Sequence, residues 1–249
     1  MTRVATYRTA IRGLVDWDGF LLEQSRLPGP RANLELAAAV AEEGTGDLFW
    51  RYLALSPEAA PTNTPHVFLV VCGVLGLGRL LAEGDVPVLA ELRRLASDPR
   101  WRVREAVAMA LQRWGDADMD GLLDAMRSWS AGTALEQRAA AAALAEPRLL
   151  RQTDHAQEAL EILDAITAAV AGRSGRQSEE FRVLRQGLGY CWSVVVAAVP
   201  EDGMRKMERW FLSNDLDIRR IMRENLGKRR LSRLDAAWVQ RGLAVLDAG

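Results

Sequence analysis

Positively charged side chains concentrate in one part of this sequence. Residues 204–234 contain ten Lys and Arg residues and four Asp and Glu residues, so this window has a charge of +6, while the rest of the chain has −7 within a total of −1. Such a window could bind phosphate or carboxylate groups. It could instead be a solvated helix face whose cations interact with helix C-termini. The candidate binding residues in this window are Arg205, Lys206, Arg209, Arg219, Arg223, Lys228, Arg229 and Arg230.

A second candidate site lies near the middle of the chain, where Trp101 stands between Arg100 and Arg102, with Arg104 close behind. An indole ring among guanidinium groups could stack on a nucleic-acid base or another flat ligand. Core packing is the alternative, and it is the expectation for most of the eight tryptophans, which lie on apolar stripes. Trp101, Arg102 and Arg104 are therefore predicted to form part of a binding edge.

The sequence gives little support for other chemistry. His66 and His155 are the only histidines, and no second ligand stands at metal-binding spacing from either. Cys72 and Cys191 lie in apolar segments without Cys-x-x-Cys spacing, which predicts buried free thiols. The glycines of residues 73–78 reverse the order of a dinucleotide fingerprint, so close helix packing explains them better. We expect no metal, no cofactor and no catalytic residue.

The elements that position these residues are predicted to be paired helices. Asp98 suits a helix cap, Pro99 suits the first helical turn, and Gly115 suits a helix stop. Between them, apolar residues recur at helical spacing, namely Val103, Ala106, Val107, Ala110, Leu111 and Trp114. Similar patterns recur about 36 residues earlier and about 33 residues later, which is typical of an all-α fold and of an α-solenoid.

Length and composition are consistent with one such array over residues 1–249, since 49% of the residues are hydrophobic. We predict N-terminal capping helices at 1–65, central repeats at 66–171 and C-terminal basic repeats at 177–249. Residues 3–24 are predicted to form one helix, residues 172–176 a mobile basic loop, and a further helix lies near 232–246. The longest apolar run, 67–77, is predicted to be a helix and is too short to cross a bilayer. With no signal-peptide pattern, a cytoplasmic protein with no membrane contact is expected.

Residues 98–107, Asp-Pro-Arg-Trp-Arg-Val-Arg-Glu-Ala-Val, resemble a HEAT repeat. More narrowly, they resemble the Trp-x-x-Arg-Arg-x-Ala segment of the HEAT-like DNA alkylation repair family, the alkylpurine DNA glycosylases. Residues 184–190 resemble that family's Arg-x-Ala-Ile-Gly-Trp segment, and residues 223–226 resemble its Arg-Glu-x-Leu-Lys ending. The similarity extends over residues 65–235. Residues 27–36 resemble the opening of a group of bacterial HEAT-repeat proteins.

The resemblance implies a solenoid of HEAT-like, armadillo-like repeats whose concave basic face binds DNA. In the family, an Arg, a Trp and a Trp-Trp-Asp segment surround the damaged base; Arg104 matches the Arg, and Tyr190 stands where the Trp stands. The segment expected to carry Trp-Trp-Asp, residues 66–74, contains no carboxylate. We therefore predict a non-catalytic binding or scaffold protein that contacts nucleic-acid backbone through its basic C-terminal repeats. A DNA glycosylase for alkylated bases and a pure protein–protein scaffold are the alternatives.

Overall fold

The computed structural model of the chain describes residues 2–248, and within them all regular secondary structure is helical. The all-α prediction is therefore confirmed for this part of the chain. The chain forms two compact units, Met1–Ala117 and Asp118–Gly249. The solenoid arrangement and the three divisions of one array stay predictions.

The first unit is built around one apolar helix. Its helices are α1 (Arg3–Arg12), α2 (Asp18–Gln24), α3 (Leu34–Glu43), α4 (Gly46–Leu53), α5 (His66–Ala82), α6 (Val88–Leu95) and α7 (Trp101–Ala117). The apolar run 67–77 lies in α5, as predicted, and α5 packs against α3, α4 and α7. Its glycines permit this packing, because a Cβ added at Gly78 would lie 2.6 Å from Ala110 Cα and one at Gly76 would overlap the Phe49 ring.

Two predicted boundaries in this unit are wrong. The single helix over 3–24 is broken, because Gly13 ends α1 and Asp16 turns the chain by accepting the N–H of Asp18 at 3.1 Å. Gly115 does not stop α7, which continues to Ala117. A glycine inside a helix costs about 1 kcal/mol relative to alanine, and α7 continues through the buried Gly115 despite that cost.

The second unit is arranged around α11. Its helices are α8 (Met119–Ser130), α9 (Ala134–Leu144), α10 (Thr153–Ala171), α11 (Glu179–Ala198), α12 (Pro200–Phe211), α13 (Leu216–Leu226), α14 (Arg229–Leu234) and α15 (Ala236–Ala248). Helix α11 packs against α9, α10, α12, α13 and α14. Its Trp192 is fully buried and donates from the indole nitrogen to Thr167 Oγ1 at 2.9 Å. The core of this unit therefore lies along α11.

One predicted boundary in this unit is wrong. The helix expected near 232–246 is split at Asp235, whose side chain accepts the N–H of Trp238 at 2.8 Å and so begins a new helix, α15. The basic loop 172–176 lies between α10 and α11, and its Arg176 donates to Asp215 at 2.6 Å and to Val170 O at 2.6 Å; its mobility stays a prediction. Helix α13 begins after Asp215, whose side chain accepts the N–H groups of Asp217 and Ile218.

Candidate nucleic-acid interface

The arginines that open α7 bind the protein's own backbone. Arg104 is buried, and its guanidinium donates to Asp98 O at 2.7 Å and to Pro99 O at 3.0 Å. Arg102 is also buried and donates to Thr62 O at 3.0 Å and to Gly29 O at 2.6 Å. Burial lowers the pKa of the Arg102 guanidinium from its ordinary value. These two candidate residues therefore join neighbouring loops to the start of α7.

Trp101 is the exposed member of this segment, with 43% of its surface accessible. The Arg102 guanidinium carbon lies 4.3 Å from the centre of the indole ring, a cation–π distance. Trp101 is therefore accessible beside Arg102, and its place in a binding edge stays a prediction. The guanidinium that stacks on it, however, is already committed to two backbone carbonyls.

In the second unit, the candidate cations of α12 are neutralised by carboxylates. Lys206 Nζ lies 2.8 Å from Glu161 and 3.3 Å from Asp164, and Arg209 lies 3.0 Å from the same Asp164. Arg205 forms an ion pair with Asp202 one helical turn away. The positive charge that the sequence places in this window is therefore largely compensated along α12.

The candidate cations of α13 have a structural task. Arg219 donates to Leu246 O and also to Ser213 O at 3.3 Å. Arg223 donates to the same Leu246 O at 2.9 Å and forms an ion pair with Asp247. Unpaired carbonyls at a helix C-terminus are acceptors with partial negative charge. Both arginines therefore dock the end of α15 onto α13.

Two of the remaining candidate cations, Lys228 and Arg230, lie over one exposed ring. Tyr190 of α11 is 46% exposed; its hydroxyl accepts a hydrogen bond from Arg230 at 2.7 Å, and the Arg230 guanidinium carbon lies 4.9 Å from the ring centre. Lys228 Nζ lies 5.7 Å from that centre. Arg229, between them in sequence, is exposed. We call Tyr190, Lys228, Arg229 and Arg230 the Tyr190 cluster.

The charge of the Tyr190 cluster is not compensated. In the described part of the chain, no carboxylate forms an ion pair with any of its three cations. Glu224 is nearby, since its carboxylate packs over Gly189, but it forms an ion pair with Arg220 at 3.0 Å. The cluster therefore has two uncompensated cations over a partly exposed aromatic ring and a third exposed cation, Arg229, next to them in sequence.

No family model, no curated protein and no solved structure matches this chain. The resemblance to the HEAT-like DNA alkylation repair family accordingly stays a prediction.

Asn225 positions the cluster and was missed by sequence reasoning. It is fully buried in α13; its amide nitrogen donates to Leu188 O at 2.8 Å and to Ile221 O at 2.8 Å, and its amide oxygen accepts the N–H of Ser193 at 2.8 Å. Two of these bonds hold the α11 backbone on either side of Tyr190. An asparagine on the apolar stripe of α13 was the available signal, because a buried amide needs partners.

Potential metal ligands of the described residues are not grouped together, and both thiols are buried. Within residues 2–248, no group of three His, Cys, Asp or Glu side chains is placed to hold a metal ion. Both cysteines are free and buried, as predicted, and burial raises the pKa of the Cys72 thiol well above its ordinary value. His155 contacts Asp120 at 3.1 Å. No helix in this part of the chain is both long and apolar enough to span a membrane.

Proposed function

We propose that this protein is a non-catalytic binding protein that holds a nucleic-acid backbone at the Tyr190 cluster. The observation that carries the proposal is the exposed Tyr190 ring with two uncompensated cations over it, Lys228 and Arg230, and the exposed Arg229 between them in sequence. Phosphates of a nucleic acid bind Lys and Arg largely through charge, and this attraction does not depend on base sequence. The helices of the unit serve as a rigid support, which we further propose to be a HEAT-like solenoid of repeats.

The aromatic ring favours a single-stranded ligand. Unpaired bases stack on accessible aromatic side chains, whereas the bases of a duplex are already stacked on one another. Tyr190 supplies such a face, and Lys228 and Arg230 lie within 5.7 Å and 4.9 Å of its centre. A nucleotide stacked there would have its phosphates within reach of these cations. We therefore expect tighter binding of single strands than of duplexes.

The experiment is a fluorescence-anisotropy titration of a labelled single-stranded oligonucleotide at several salt concentrations. Three phosphate contacts predict a slope of about −2 in a plot of log affinity against log salt. The double variant Lys228→Ala, Arg229→Ala removes two of them and should reduce the slope to about −0.7. The matched control is Arg205→Ala, Arg209→Ala, which removes two cations of the same window that already have carboxylate partners.

The outcomes separate this proposal from its alternatives. Equal loss of affinity in both double variants would contradict the assignment to the Tyr190 cluster. Absence of binding to single strands and duplexes at low salt would overturn the nucleic-acid proposal. The protein-scaffold alternative would then remain, and a stoichiometric protein partner recovered after nuclease treatment would support it. Release of methylated bases from alkylated DNA would contradict a non-catalytic role, and Glu224 would then be the carboxylate to replace first.

A further inference from the structure

The first unit contains a groove that the proposed function does not use. It lies between α5, α7 and the segment that leads into α3, and its volume is about 300 Å³. This volume is at the lower end of the range for sites that bind small molecules, roughly 300 to 1,000 Å³. Most of its wall is apolar, and the lining includes Leu34, Val71, Trp101, Ala106 and Met109.

One wall of the groove is held rigidly. The Trp101 ring stacks against the Arg102 guanidinium at 4.3 Å, and that guanidinium is bound to Thr62 O and Gly29 O. Three chain segments therefore converge on the indole. A wall fixed before the ligand arrives lowers the entropic cost of binding. Tryptophan also offers a flat surface on which a planar apolar group can pack.

The charged side chains at the rim of the groove favour a ligand with a negative charge. Arg31 lines the groove and is exposed, and no hydrogen bond or ion pair engages its guanidinium within the described residues. Glu105 also lines the groove but has an interaction partner of its own. An available guanidinium binds carboxylates strongly, in a two-pronged geometry. The groove therefore complements an anion with an apolar body.

We propose that this groove binds a small aromatic carboxylic acid, with its ring against Trp101 and Met109 and its carboxylate on Arg31. This site is in the first unit and is independent of the nucleic-acid proposal. The volume suits one or two fused rings. Binding is expected to require both the apolar space beside Trp101 and Met109 and the cation of Arg31. Each requirement can be tested with its own variant.

The test is isothermal titration calorimetry with two probes that share a ring system and differ in charge, 2-naphthoate and 2-naphthylmethylammonium. We expect 2-naphthoate to bind with submillimolar affinity and the ammonium probe to bind at least about tenfold more weakly. Arg31→Ala should weaken 2-naphthoate about tenfold. Met109→Trp should fill the groove and abolish binding. Arg3→Ala, which removes a largely exposed arginine elsewhere in this unit, should change nothing.

Three results would overturn the proposal: no heat of binding for 2-naphthoate at millimolar concentration, equal affinity for the two probes, or unchanged affinity in Arg31→Ala. Because Arg31 is exposed and without a partner, its replacement leaves the fold intact, so the proposal is testable even if Met109→Trp does not fold. Thermal unfolding followed by circular dichroism verifies the fold of each variant. These titrations test the groove alone, so their outcome does not depend on whether the Tyr190 cluster binds single-stranded nucleic acid.

Discussion

The segment that opens α7 and the segment that opens α14 are both rich in cations next to an aromatic ring, yet their cations are used differently. Arg100, Arg102 and Arg104 are buried and donate to a carboxylate and to backbone carbonyls. Lys228 and Arg229 have no carboxylate partner in the described residues. The number of arginines in a segment therefore does not identify a binding surface, because a buried arginine that is already hydrogen-bonded to the protein is not available to bind a ligand.

The first prediction tests whether the buried arginines near the start of α7 stabilise the fold. Arg100 and Asp98 form a buried ion pair with two hydrogen bonds, of 2.9 Å and 2.7 Å, and Arg100 also donates to Leu55 O at 3.0 Å. Arg100→Ala leaves a carboxylate buried without its partner, which costs about 3 to 5 kcal/mol of unfolding free energy. Urea denaturation measures this loss.

Its control is Arg229→Ala, which should change the unfolding free energy by less than about 0.5 kcal/mol, as for most surface substitutions. If both variants lose the same stability, the division into a structural and an available group of cations is wrong.

The second prediction concerns the support of the Tyr190 cluster. Asn225→Leu removes three buried hydrogen bonds, two of which join α13 to the Leu188 carbonyl and the Ser193 N–H of α11. We expect a loss of about 2 to 3 kcal/mol in unfolding free energy, since each hydrogen bond contributes about 1 kcal/mol. Urea denaturation measures it, and Ser232→Ala, at an exposed position in α14, provides the control. A neutral result would mean that α11 holds Tyr190 without Asn225.

The third prediction compares the two aromatic rings directly. Tyr190→Ala should weaken binding of single-stranded DNA by about 1 to 3 kcal/mol, the range for loss of one stacked base. Tyr190→Phe keeps the ring and loses only the hydroxyl bond to Arg230, so its effect should be smaller. Trp101→Ala should leave this affinity unchanged, because the guanidinium beside Trp101 already binds backbone carbonyls. Anisotropy titrations decide; a larger loss at Trp101 would reverse the comparison.

The sequence predicted those features that depend on neighbouring residues. The apolar residues that recur at helical spacing between Val103 and Trp114 lie in α7, and the apolar run 67–77 lies in α5. The use of each cation could not be predicted in this way. Lys206 meets Asp164, 42 positions away, and Arg102 meets Gly29, 73 positions away. Local spacing identifies a basic window, but only the tertiary fold determines which of its charges remain available.

The last prediction concerns an intermediate case, in which exposed arginines have a carboxylate partner. Glu43 of α3 accepts hydrogen bonds from Arg12 of α1 at 2.6 Å and 2.7 Å and is also bound by Arg8. Hydrogen bonds from Arg12 and Arg8 lower the pKa of Glu43 from 4.5 to about 2. Between these values the unfolded chain binds more protons than the folded chain, so this contribution to stability is present above pH 4.5 and is lost as the pH falls towards 2.

Glu43→Gln should therefore reduce stability at neutral pH and flatten its dependence on pH in that acidic window, as measured by thermal unfolding at a series of pH values. The effect should be the smallest of those predicted here, because Arg12 is 59% exposed and solvent screens the pair. High salt should diminish the difference between the variant and the unmodified chain at neutral pH. If Glu43→Gln leaves the pH dependence of stability unchanged, Glu43 does not hold Arg8 and Arg12, and these arginines are as available as those of the Tyr190 cluster.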